Sequence, residues 1–503
     1  MIGQCEGSIV DCTNRGTVDQ ASDPRTVNAG GICGFVRNAA ESLSGNANEG
    51  EVRIGGAVTL ATVGGVYGSF GKAQTVADAA TTNRGGVTVS GIESIEGAYL
   101  RLGGIVGFAY PGTVLSNLTN AGDMTVDLQS KFSYYAVGGI AGSVECGASS
   151  CVNEGSLRLN NNQLLTKGMC KIFVGGIVGI NYRPTDDGPH IYEDCANRAE
   201  IGFATTDNAF KVLPSFTGGI LGYTEHPVEV RNCEGAAYIN VNNANAKENG
   251  IFTATGGIVG AVKGTAALIE KCHVTADVRH YQYNNTWDDP LSAANGGGIV
   301  GCALGADEVN RIAITGCSCS GMVESKRSGA AGIVGYARFS DISDCGFTGG
   351  IEGSGPHFAG GIAGTLANST IAGCTVKAKN IYGHNASSPS LIGVSGIAAY
   401  VVGVSSVSDC KAYATLIRNS TVLGTEDASV TPDNLFGMGM IVGIDAGTTT
   451  VTNCGVGGSF YLGASEKPQE LILTLDADSY AKGIIGSGKT ATVGGCYYWN
   501  GEK

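Results

Sequence analysis

Charge is scarce in this chain. Only 15% of its 503 residues are Asp, Glu, Lys or Arg, against 43% hydrophobic, so there is apolar material for a large core and the composition argues against disorder. Positive charge is scarcer than negative. The formal net charge of −13 disfavours nucleic acid, anionic lipid and acidic polymers as partners. No run of 18 apolar residues occurs, which excludes a helical membrane span and gives no membrane insertion by this segment. The opening Met1-Ile2-Gly3-Gln4-Cys5 lacks the charged and apolar regions of a signal peptide. Because the chain starts almost inside a repeat, the expectation is an excised or mature segment of a longer protein.

Glycine is what the chain has in quantity. Eighty-one glycines without a collagen period point to many tight turns and close backbone contacts. They recur in a box of form G-G-I-x-G at Gly30 to Gly34, Gly64 to Gly68, Gly103 to Gly107, Gly138 to Gly142, Gly175 to Gly179, Gly218 to Gly222, Gly256 to Gly260 and Gly297 to Gly301. Weaker copies follow at Ala331 to Gly335, Gly360 to Gly364, Ser395 to Ala399, Gly439 to Gly443 and Lys482 to Gly486. Thirteen boxes with a mean spacing of about 38 residues predict a solenoid, propeller or array. The propeller is disfavoured, because its Gly-His and Trp-Asp signatures are missing and only two Trp exist.

The central box residue is β-branched in all thirteen copies, which predicts an inward aliphatic ladder, equivalent side chains stacking at about 4.8 Å from coil to coil. Between boxes lies a second element, seen as Cys12-Thr13-Asn14-Arg15-Gly16, Cys151-Val152-Asn153-Glu154-Gly155 and Cys195-Ala196-Asn197-Arg198-Ala199. Asn and Gly tolerate positive φ, so Asn-x-Gly reads as a turn between short strands. The expected architecture is a single continuous all-β chain over residues 1–503, a parallel β-helix or β-solenoid. Its hand is expected to be right, as β-crossovers in one sheet overwhelmingly are.

Eleven of the seventeen cysteines occupy one repeat position: Cys12, Cys151, Cys195, Cys233, Cys272, Cys317, Cys345, Cys374, Cys410, Cys454 and Cys496. Other copies fill that slot with Asn46, Thr81 and Leu118. A slot accepting such different residues is a packing site, and the expectation is a stacked column of buried thiols. Disulfides between adjacent rungs remain open, since strand spacing suits them. Off-ladder Cys5, Cys33, Cys146, Cys170, Cys302 and Cys319 are the better candidates for pairing. Cys317-Ser318-Cys319 lacks zinc-site spacing, and no metal or cofactor is expected.

The G-G-I-V-G boxes, the V-x-N-C-x-N-x-G-x-V turns and the terminal Val493-Gly494-Gly495-Cys496-Tyr497-Tyr498-Trp499 resemble the GLUG-type repeats of bacterial secreted and surface proteins. Nearly the whole chain shares the pattern. The resemblance implies a right-handed β-solenoid stalk or adhesin-like region, extracellular or at the cell surface, some of its relatives lying within IgA-cleaving peptidases. None of His190, His226, His273, His280, His357 or His384 stands in an H-E-x-x-H motif, so the resemblance carries over no peptidase site.

The most ligand-like stretch runs from His280 to Pro290, with Tyr281, Tyr283, Trp287, Asp288 and Asp289 as candidate binding residues. Aromatic rings stack on sugar faces while amides and carboxylates bond hydroxyls; the alternative is that Trp287 folds back as a lid over the apolar coil. Phe132, Tyr134 and Tyr135 read as strand packing. Candidate acid pairs for polysaccharide cleavage are Asp186 with Asp187, Glu193 with Asp194, Asp288 with Asp289, and Asp307 with Glu308. Neighbours in a strand point to opposite faces, so they would cooperate only from loops. The leading expectation is a non-enzymatic surface or secreted module binding a host or dietary glycan or protein. A β-helix lyase or glycoside hydrolase and a purely structural spacer are the alternatives.

Overall fold

The computed structural model describes residues 2–20, 26–127, 132–161, 171–182, 188–205, 215–243, 253–282, 295–326, 329–352, 357–385, 392–420, 430–464, 467–488 and 491–502. Residues 1–248 with 258–262 form one compact unit, and 249–257 with 263–503 a second. Each is a parallel β-solenoid built from the same coil.

In the first unit, one coil reads Val152–Asn153, Leu157–Asn161, Lys171–Gly175, Val178–Asn181 and His190–Glu193. Every strand pairs in parallel with its equivalents one repeat away. Lys171–Gly175 lies between Phe132–Gly138 and Ser215–Gly218. Val178–Asn181 lies between Ala141–Val144 and Leu221–Thr224. The second unit repeats the scheme: Val334–Arg338 pairs with Ala363–Ala367, Ser340–Ser343 with Thr370–Ala372, and Phe358–Gly360 with Gly393–Ser395. One departure is Lys467–Thr474, which runs antiparallel to Gly455–Ala464.

The glycine box is the corner between two strands, and close approach is what selects its glycines. A Cβ on Gly138 would lie 1.9 Å from the Ala141 carbonyl oxygen, and one on Gly142 would lie 2.4 Å from the Leu102 nitrogen. Backbone meets backbone there, leaving no room for a side chain. The central residues, from Ile32 to Ile484, are at most 5% exposed in all thirteen boxes, so the aliphatic ladder forms as the repeat predicts.

Positive φ sits elsewhere than the Asn-x-Gly turn. It falls on the residue just before the cysteine slot: Asp11, Asn117, Ser150, Asp194, Asn232, Lys271, Asp344, Asp409 and Asn453 all have φ between 50° and 57°, and Gly45, Gly316, Gly373 and Gly495 have φ between 62° and 66°. Asn, Asp and Gly tolerate this left-handed corner best, which explains their prevalence one place before the cysteine.

The turn asparagines have a different task. In the first unit Asn14, Asn48, Asn83, Asn120, Asn153 and Asn197 form a ladder, each Nδ2 donating to the next Oδ1 at 2.8 Å. Each Nδ2 also donates to the carbonyl two residues on, as Asn120 does to Gly122 at 3.1 Å. The last five of these residues are fully buried, and every one lies against the second glycine of a box: a Cβ on Gly139 would meet Asn153 Cγ at 2.4 Å. In the second unit the same register is apolar, running Val274, Cys319, Phe347, Val376, Ala412 and Val456.

The cysteine slot forms the expected column. No disulfide joins the sixteen described cysteines, and all but Cys5, Cys12 and Cys496 are buried. Ladder thiols bond backbone carbonyls two residues earlier, as Cys345 does to Ser343 at 3.2 Å and Cys410 to Ser408 at 3.2 Å. Where Asn46 replaces cysteine, its amide donates to the Ile9 carbonyl and the Tyr67 hydroxyl, each at 2.7 Å. Burial is matched with partners at Asn46, whereas at the next rung the buried Thr81 hydroxyl has no hydrogen-bond partner.

Candidate functional site

Residues outward of the core collect on one flank of the first unit. The strand before each box alternates inward and outward, so Leu100, Tyr135 and Ile172 enter the core while Tyr99, Tyr134 and Lys171 share one outward rung. Arg101, Ala136, Phe173 and Phe216 share the next. The strand after the box brings Tyr223 against this face, its ring 5.2 Å from that of Phe173 and 4.7 Å from that of Phe216. Tyr99 and Tyr134 rings lie 4.8 Å apart.

The result is a cleft of about 510 Å³ lined by Tyr99, Ser133, Tyr134, Phe173, Tyr182 and Tyr223, with Lys171, Asn181 and Glu225 at its polar edge. Its walls are held in place. Arg101 Nε donates to the Tyr134 hydroxyl at 2.9 Å and its guanidinium lies 4.5 Å over the Phe108 ring. The Tyr223 hydroxyl donates to Glu225. Burial pushes the Tyr134 and Tyr223 phenols up, so both stay protonated donors. Tyr99 and Tyr182 are more than 40% exposed, so both rings reach the surface of the cleft.

Tyr281 lies elsewhere, in Val278–Gln282 of the second unit. Its hydroxyl donates to Glu324 at 2.8 Å, and Arg279 clasps the same carboxylate at 2.8 and 3.2 Å. Burial raises the Glu324 pKa, but Arg279 and Tyr281 together outweigh it and hold the carboxyl below its usual range. Tyr283, Trp287, Asp288 and Asp289 lie outside the described residues, as do Asp186 and Asp187. Tyr135 is the packing residue expected, whereas Tyr134 is half-exposed and lines the cleft. Asp307 accepts from the Val309 and Asn310 amides, each at 2.9 Å, while Glu308 pairs with Arg311 at 2.6 Å. Those two carboxylates therefore serve separate local contacts. Among the described residues no three His, Cys, Asp or Glu side chains form a metal-holding group, and no helix is long and apolar enough to cross a membrane.

His280 is a core residue of the second unit. Thr255 Oγ1 lies 2.8 Å from its Nδ1, and burial pushes its pKa from 6.5 down to about 3. A histidine whose folded pKa is depressed takes up its proton more readily when unfolded, so stability is lost as pH falls from 6.5 towards 3. Moving from pH 7.5 to 4.5 is expected to remove about 2.5 kcal/mol through this residue. In His280→Gln the fall should be smaller by that amount. Equal pH slopes in urea unfolding of the two proteins would show that His280 does not titrate this way.

The cleft escaped the sequence reading because its residues come from separate repeats. Aligning repeats on the box reveals them: Tyr99 and Tyr134 stand four residues before the first glycine, Phe173 and Phe216 two before, and Phe108 and Tyr223 five after. Fold and flank together define a parallel β-solenoid carrying a lateral aromatic cleft. Beyond that class, no family model, no curated protein and no solved structure matches this chain.

Proposed function

We propose that this chain is a non-enzymatic binding module of a bacterial surface or secreted protein, adhesin-like in character, and that the first unit's cleft takes a glycan. One observation carries the reading: five aromatic rings from successive coils, two of them widely exposed, beside amide, ammonium and carboxylate groups. Aromatic faces stack on the apolar faces of sugar rings while the polar edge bonds hydroxyls. Rungs about 4.8 Å apart repeat this surface along the stacking direction, as suits a chain of sugars better than a lone small molecule.

The test is a glycan array probed with wild type and with Tyr99→Ala/Tyr182→Ala, two exposed positions whose loss leaves the core intact. Each ring contributes on the order of 1 kcal/mol, so the double variant should bind its glycan roughly thirtyfold more weakly with an unchanged unfolding midpoint. Wild-type binding that the variant retains would move the site off the cleft. New chain ends in the bound glycan would favour a β-helix hydrolase or lyase, and no binding by wild type would leave a structural spacer.

A further inference from the structure

In the second unit seven ladder cysteines follow one another without interruption: Cys272, Cys317, Cys345, Cys374, Cys410, Cys454 and Cys496. Each is tied to the next by a ladder bond. The Ser318, Gly346, Thr375, Lys411, Gly455 and Tyr497 amides donate at 2.8–3.0 Å to the carbonyls of Cys272, Cys317, Cys345, Cys374, Cys410 and Cys454 in turn. Neighbouring cysteines thus sit one strand spacing apart, about 4.8 Å, inside the Cα separation a disulfide accepts. Their side chains stack in one sense: every thiol of the row donates to the carbonyl two residues earlier, and the Cys345 amide donates to the Cys374 sulfur at 3.4 Å. All are buried except Cys496, which is half-exposed.

A thiolate displaces a sulfur from a disulfide by attacking in line with the S–S bond, through a mixed disulfide. Three sulfurs in a row are what that attack needs, and a stacked column supplies a row at every rung. We propose that this column is a thiol–disulfide exchange track entered at Cys496, taking small disulfides of the glutathione type. The Cys496 thiolate attacks such a disulfide RSSR, forming Cys496–S–SR and releasing RS⁻. Cys454 then attacks the Cys496 sulfur, forming the Cys454–Cys496 bridge and expelling the second RS⁻. The two protein protons pass to the two released thiolates, so two protein thiols are oxidised as one disulfide is reduced. Cys410 next attacks the Cys454 sulfur, closing a Cys410–Cys454 bridge and returning Cys496 to a thiol. Each later step exchanges one S–S bond for another, the attacking thiol's proton passing to the sulfur released, and needs no further oxidant.

The reduced full chain is incubated at neutral pH, without denaturant, with one equivalent of glutathione disulfide, then acid-quenched at intervals, alkylated and peptide-mapped. Cys454–Cys496 should appear first, followed by Cys410–Cys454 and Cys374–Cys410, always between adjacent rungs. In Cys454→Ala, Cys496 should accumulate as the mixed disulfide while bridging among the inner cysteines falls at least tenfold. Cys496→Ala, altered at the half-exposed rung, should slow inner bridging as much and tests the entry point without disturbing the core. Inner bridges forming at the wild-type rate in both variants, bridges appearing at all rungs at the earliest time, or no bridging in native wild type would each overturn the proposal.

Discussion

Asn120→Ala is expected to lower the stability of the first unit by roughly 3–5 kcal/mol, since three buried partners lose a bond and each orphaned group costs about 1–3 kcal/mol. Asn83 Nδ2 loses its acceptor at 2.8 Å, Asn153 Oδ1 its donor at 2.8 Å, and the Gly122 carbonyl its amide at 3.1 Å. Asn14→Ala is the comparison. Asn14 is half-exposed and donates to a single ladder neighbour, so about 1 kcal/mol is expected there. Denaturant midpoints measured by circular dichroism separate the two; equal shifts would mean that the ladder amides act as independent surface groups. The apolar register of the second unit shows why the penalty is one of mismatch. Val274, Cys319 and Phe347 face one another, and no member leaves a polar neighbour stranded.

Gly139→Ala is expected to cost more still. Its Cβ would fall 2.0 Å from the Gly176 carbonyl oxygen as well as 2.4 Å from Asn153 Cγ, so the neighbouring coil's backbone must move and the buried amide with it. Overpacking alone costs about 1–3 kcal/mol, and breaking the amide ladder adds a similar amount. The variant should be largely unfolded or insoluble at 37 °C. Gly494→Ala, where nothing lies within 4 Å of the added carbon, should leave the midpoint within about 0.5 kcal/mol. A soluble Gly139→Ala with a wild-type melting curve would contradict the close approach of adjacent corners.

Much of the architecture could be read from the residues because a solenoid repeats its constraints. Ile32 and Ile484 answer to the same neighbours, as do Cys151 and Cys454, so the aliphatic ladder and the thiol column were visible as constant positions. The asparagine ladder was not. Asn-x-Gly carries the same letters whether the asparagine turns the chain through positive φ or stacks its amide on the coil below, and only the stacking partner decides. The true left-handed corner had a signal that went unread, in Asp11, Asn117, Asp194, Asn232, Asp344, Asp409 and Asn453. The cleft was harder, since Tyr99, Tyr134, Phe173, Tyr182 and Tyr223 are outward residues that no core constraint repeats. Aromatic clustering within one loop drew attention to Trp287, whereas the coils assemble aromatics across repeats.

Every link of the asparagine ladder has the same donor, the same acceptor and the same sense, from the lower-numbered coil to the higher. Such a joint cannot distinguish one coil from another. Excising Arg84 to Asn120 would bring the Asn83 amide to Asn153, and duplicating the same stretch would add one more link of the same kind between them. The first unit can therefore gain or lose length only in whole coils, and a genetic deletion of any other size leaves an amide facing the wrong register. Its reach is quantised by chemistry that sits far from any ligand.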